Sequence, residues 1–110
     1  MTIVHIVLFQ IEADADASKV TDFCQRMLAL KSDCIHPTTQ RPYVKSVIGG
    51  KDNSLDDRTA GLTHGFVVEF ENEEDRKYYI EKDPAHAAFK ASLTGVVQKV
   101  TVVDFAPGEF

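Results

Sequence analysis

Cys24 and Cys34 are the only two cysteines in 110 residues, too few for a disulfide framework and without the spacing of a metal site. A reduced, cytoplasmic setting is the expectation that follows. No apolar run approaches the roughly 20 residues that span a bilayer, so no membrane association is expected. The opening MTIVHIVLFQ lacks a basic n-region and a small-residue cleavage site, and no signal peptide is read there. Positive charge is scarce as well: 12 Lys and Arg stand against 17 Asp and Glu, a net charge of −5. That balance argues against a nucleic-acid partner, which calls for a basic face to displace counterions. Internal repeats and low-complexity tracts are absent, so organisation must come from periodicity. What is present, 44% hydrophobic and 26% charged residues, suits a folded protein and not a disordered one. The length predicts one domain over residues 1–110 that buries about 65% of its unfolded surface.

Residues 2–11, TIVHIVLFQI, are rich in β-branched and aromatic side chains and predict a strand. Its two faces, Val4, Ile6 and Leu8 against Ile3, His5, Val7 and Phe9, are both apolar, so both should be covered. In ADADASKVTDFCQRMLALKSD the acidic residues and Ser18 suit a helix start, and Val20, Phe23, Cys24, Met27 and Leu28 fall at helical spacing. Cys24 reads as a small buried hydrophobe on that face. Pro37 and Pro42 flank a polar turn in which His36 reads as solvated surface. YVKSVIGG predicts a second strand, KDNSLDDRTAG a long loop, and LTHGFVVEFE a third strand with His64, Phe66, Val68 and Phe70 on one face. Asn72 and the three acids after it start a short helix carrying Tyr78 and Tyr79. The break before Pro84 ends that helix, and Asp83 as N-cap with Pro84 behind it starts another. On this last helix His86, Phe89 and Leu93 share a face. Gly95 stops it, and VVQKVTVVDF is the final strand. The order βαββαβ is the ferredoxin-like α+β plan, a four-stranded antiparallel sheet with helices on one face. The remaining apolar face asks for a partner, and a homodimer packed sheet to sheet supplies one.

Three histidines fall where they can carry chemistry. The first and third strands are central neighbours in this topology, so His5 and His64 can lie close together if they are on the same face, with His86 looking down from the helix layer. Each alone reads as a core histidine satisfied by a neighbour; three that converge each need a separate partner, which weakens that reading. At a helix N-terminus the amide dipoles disfavour protonation of His86, and a neutral imidazole can accept a proton as a general base. Tyr79, one short helix earlier, can present a phenol as donor to the same space. A base and a phenol over an apolar cavity suit proton abstraction beside a carbonyl, the phenol steadying the enolate oxygen. Ordinary amphipathic packing of Tyr78 and Tyr79 is the competing reading. A zinc site is not expected, since no carboxylate ligand accompanies the histidines. Gly49-Gly50-Lys51-Asp52 lacks the spacing of a phosphate loop.

VHIVLFQ, GGKD followed after a loop by THGFVVEFE, DPAHAAF and the closing VVDF together resemble the stress-responsive dimeric α+β barrel (Dabb) family over essentially the whole chain. The resemblance implies a ferredoxin-like subunit and a homodimer whose two sheets close a barrel. Among members with a defined reaction, the chain is similar to a plant polyketide cyclase, which closes a linear poly-β-ketone by an aldol reaction without a cofactor. That similarity implies His86 as the base and Tyr79 as its catalytic partner, with His5 and His64 matching the strand histidines of the pocket. Phe66, Phe89 and Leu93 join them as expected substrate-binding residues. No metal and no cofactor is implied. The chain departs from the cyclase pattern at EKD, where one more residue separates the tyrosine from PAH and Asp83 replaces a histidine. Three functions stand as alternatives: a cofactor-independent enzyme acting on polyketide-like or other enolisable carbonyl compounds, a stress-related protein holding a small apolar ligand without turnover, and a structural dimer. Cofactor-free oxygenation of polycyclic phenols and heme ligation by His64 or His86 occur on related folds, and nothing in this chain, which lacks tryptophan, selects either. An open pocket beneath His86 favours the enzyme, and a space filled by Phe66, Phe89 and Leu93 favours the structural dimer.

Overall fold

In a computed structural model that describes residues 1–110, the chain runs β1 (Ile3–Ile11), α1 (Ala17–Asp33), β2 (Val44–Lys51), β3 (His64–Phe70), α2 (Glu73–Glu81), α3 (Pro84–Ala91) and β4 (Val97–Phe105). The strands form one antiparallel sheet in the order β2-β3-β1-β4, with the helices on one face. This is the ferredoxin-like α+β arrangement read from the sequence. β1 is interior, its backbone paired along both edges. Its helix-side residues Ile3, His5, Val7 and Phe9 are buried, as are Phe66, Val68 and Phe70 of β3.

α1 covers this face through Phe23, Met27 and Leu30, and Cys34 just past its end continues the line. The spacing of four, three and four residues is a helical stripe. It differs from the expected one: Leu28 points outward, 45% exposed, Leu30 takes its place, and Cys24 is only half-buried. The helix start also differs. Asp16 is the N-cap, its carbonyl accepting from the amides of Lys19 and Val20, so Ser18 lies inside the first turn and caps nothing. Beyond α1, His36 is half-buried instead of solvated: its Nδ1 accepts the amides of Thr38 at 3.0 Å and Thr39 at 3.3 Å. Its ring packs against Tyr43 and Tyr78, so it organises the turn.

Gly49 of β2 sits opposite Phe66, where a Cβ would meet that ring at 2.1 Å; only glycine admits the phenyl group there. Asn72 caps α2 by accepting the Asp75 amide at 2.8 Å. Asp83 caps α3, one carboxylate oxygen accepting the amides of Ala85 at 2.8 Å and His86 at 3.3 Å while the other accepts the Tyr43 hydroxyl. Gly95, at φ +83°, turns the chain from α3 into β4.

The opposite face of the sheet has no helix over it. Val4, Ile6, Leu8, Val67, Ile48, Val103 and Phe105 line it by register, and the last three are 65%, 55% and 42% exposed. No helix is long and apolar enough to cross a membrane.

Candidate functional site

The break between α2 and α3 builds the site. Lys82 and Asp83 both donate their amides to the Tyr78 carbonyl, each at 2.9 Å, and Pro84 has no N–H to offer. The Tyr79 carbonyl is therefore left outside the helical ladder. Asp83 then starts α3 so that His86 folds back over that turn, its Nδ1 lying 2.8 Å from the orphaned Tyr79 oxygen. A carbonyl only accepts, so Nδ1 carries the proton and Nε2 keeps its lone pair. The imidazole also stacks on the Tyr79 ring at a centroid distance of 3.8 Å and 17° between planes. Burial, opposed by the Tyr79 hydrogen bond and reinforced by Lys90, lowers the His86 pKa to about 4. His86 is thus a neutral imidazole at neutral pH.

Beside it lies a cavity of about 380 Å³ between the sheet and the short helices. Val7 and Phe9 of β1 and Val100 and Val102 of β4 form its floor; Tyr79, Ile80, His86, Phe89, Lys90 and Leu93 form its other wall, with Met27 at one end. Val100 and Val102 face the helix layer yet stay 46% and 49% exposed, because neither α2 nor α3 reaches across β4.

His5 lines the cavity opposite and has its own support. Its Nδ1 is 2.6 Å from the Asp104 carboxylate, whose second oxygen accepts from Arg76 at 3.1 Å. The carboxylate accepts the Nδ1 proton, so the other ring nitrogen, Nε2, is the one not engaged by Asp104. The β1–β4 register sets His5 directly against Asp104. Burial, then Cys34 and Asp83, push the Tyr79 phenol pKa up, so that hydroxyl stays protonated and can act as a donor. No group of three or more His, Cys, Asp and Glu side chains is arranged to hold a metal ion.

The profile of the stress responsive A/B barrel domain matches residues 3–107. The chain belongs to the stress-responsive A/B barrel (Dabb) family. Two relatives from Arabidopsis thaliana are stress-response A/B barrel domain-containing proteins. HS1 is 38% identical over 64 residues, 58% of this chain and 58% of that protein's length. At5g22580 is 26% identical over 102 residues, 92% of this chain and 82% of its own. Among solved structures, Arabidopsis At3g17210 matches with a TM-score of 0.80 at 26% identity, over 98% of this chain and 97% of that one. A hydroxynitrile lyase from Passiflora edulis shares the fold at TM-score 0.79 and 18% identity, over 99% and 96%. A dimeric ferredoxin-like protein from Thermobifida fusca does so at 0.72 and 22%, over 96% and 91%.

In this Dabb chain the cavity brings together His86, Tyr79, His5, Phe89 and Leu93, but not His64 or Phe66. The expectation that His64 approaches His5 is corrected by the register. His5 faces Val68 and His64 faces Phe9, so the two are four residues apart along the sheet, about 13 Å. His64 instead packs edge-on to Phe23 and contacts the Thr63 hydroxyl at 2.9 Å; burial and Lys51 lower its pKa. Phe66 closes the core between Phe9 and Phe23 and does not line this cavity. Sequence reasoning missed Asp104, Arg76 and Lys90. VVDF carries the signal for the first, because antiparallel pairing of the last strand with VHIVLFQ brings that aspartate beside the early histidine.

Proposed function

We propose that this Dabb protein is a homodimeric, cofactor-independent enzyme that moves a proton at a carbonyl compound with an apolar body, polyketide-like β-ketones being the favoured class. The observation that carries it is the state of His86: a buried imidazole, tied at Nδ1 and free at Nε2, beside an apolar cavity. A resting pKa of about 4 keeps it in the accepting form throughout the neutral range. Negative charge developing on the substrate raises that pKa during the step, because an opposite charge nearby favours the imidazolium. The protonated Tyr79 phenol serves as donor to the enolate oxygen, and His5, oriented by Asp104, is the polar group on the facing wall. The Passiflora neighbour, a hydroxynitrile lyase, supports chemistry of this kind on the fold, since hydroxynitrile breakdown into a carbonyl compound also begins with loss of a proton.

The test is a panel of linear β-polyketones, as free acids and as thioesters, together with hydroxynitriles, assayed with the wild-type chain and His86→Ala. Turnover in the wild type that falls by about 10²–10⁴ in the variant, with little change in melting temperature, is expected. Equal rates in the two proteins sink the assignment. Binding without turnover in the wild type favours the non-catalytic, ligand-holding reading. The homodimer is supported by the helix-free apolar face and by dimeric neighbours of the same fold; sedimentation at micromolar concentration that finds only a 12.2 kDa species disproves it.

A further inference from the structure

Twelve residues line the cavity and none is acidic; Lys90 is the one among them with a permanent charge. It sits four residues after His86 in α3, hence on the same helical face one turn further on. No carboxylate lies within ion-pair distance of it, whereas Arg76 on the neighbouring helix is committed to Asp104. The chain as a whole is acidic, with a net charge of −5, so a solitary cation at the rim of an apolar hollow runs against the overall balance.

We propose that Lys90 makes the cavity a site for small monocarboxylates: the apolar body lies over Val100 and Val102 and the carboxylate meets the Lys90 ammonium. This rests on the reading of the cavity as the substrate site and narrows its substrate class to acids. Charge-assisted hydrogen bonds are stronger than neutral ones, and the exposed position of Lys90 limits the gain to a modest preference. The walls offer a carboxylate no competing acid, so nothing inside the cavity opposes the pairing. That the ammonium is felt at His86, whose pKa it depresses, agrees with this placement. In the bound state the ligand's own negative charge offsets Lys90 and relieves that depression, so binding an acid makes His86 a stronger base.

The experiment compares octanoate with octanamide, equal in chain length and differing in charge, by amide chemical-shift titration. Wild-type protein is expected to bind octanoate about tenfold more tightly. Lys90→Met, which keeps an apolar stem on an exposed helix position, is expected to bring octanoate down to the amide's affinity and leave the amide unchanged. Lys90→Arg is expected to keep the preference. Equal affinities in the wild type, a Met variant that weakens both ligands alike, or no binding of either ligand overturns the proposal. The titration reads binding without turnover, so a failure of the base assignment appears separately, in the kinetics of His86→Ala.

Discussion

The helix-side face of the sheet has a closed corner and an open one. At the Phe66 corner, Phe9, Phe23 and Phe66 meet edge to face with centroids 4.8–6.0 Å apart. At the β4 corner the same face is hollow, although Phe9 takes part there too and Phe23 stacks on Phe89 at 6.0 Å. Aromatic content does not distinguish them. Helix length does: α1 has 17 residues, whereas α2 and α3 have 9 and 8. Cavity formation here is a matter of where helices stop, not of small side chains in the wall.

The contrast is broken most directly by truncation. Phe66→Ala at the closed corner is expected to cost about 3–5 kcal/mol in urea unfolding. Phe89→Ala, beside space already open, is expected to cost no more than about 2 kcal/mol, because it enlarges a hollow instead of creating one. Equal losses erase the distinction.

A second, smaller effect sharpens it through pH. The folded His86 titrates at about 4, below the ordinary histidine value of about 6.5. Between these values the unfolded chain binds a proton that the folded chain does not. Stability is therefore full above about pH 6.5, falls as pH drops towards 4 and levels off below, a loss of about 3 kcal/mol. Urea unfolding of His86→Gln across this range is expected to lack that component; an unchanged profile contradicts the buried neutral imidazole. The smallest effect comes from filling the open corner: Val102→Phe is expected to move stability by less than about 1 kcal/mol, since the position is half exposed. The same change is expected to weaken octanoate binding in the chemical-shift titration, because it fills part of the cavity.

Local chemistry was legible before the fold was. The two apolar faces of β1 follow from period two, and the Asp83–Pro84 start of α3 follows from capping rules that act within a few residues. Long-range register was not legible. Both whether His5 and His64 share a face and how far apart they lie depend on which residues of β1 and β3 pair. No pattern within either strand states that. Arg76, Asp104 and His5 likewise come from three separate elements and meet only in the assembled sheet and helix layer. Leu28 and Leu30 show the limit of helical periodicity: both leucines suit an apolar stripe near Phe23 and Met27, and the choice between them falls to Cys34, the next residue in line.

His86 depends on residue 79 through an oxygen that every amino acid possesses. Exchanging the phenol at position 79 for another ring or an aliphatic chain would remove the proposed donor, yet it would not disturb which nitrogen of the imidazole bears the proton. The vulnerable inheritance lies elsewhere, in the interruption at Pro84. A lineage that lost this proline and let α2 run on into α3 would return the carbonyl to the helical ladder. The imidazole would then be set adrift while every side chain of the site remained in the gene.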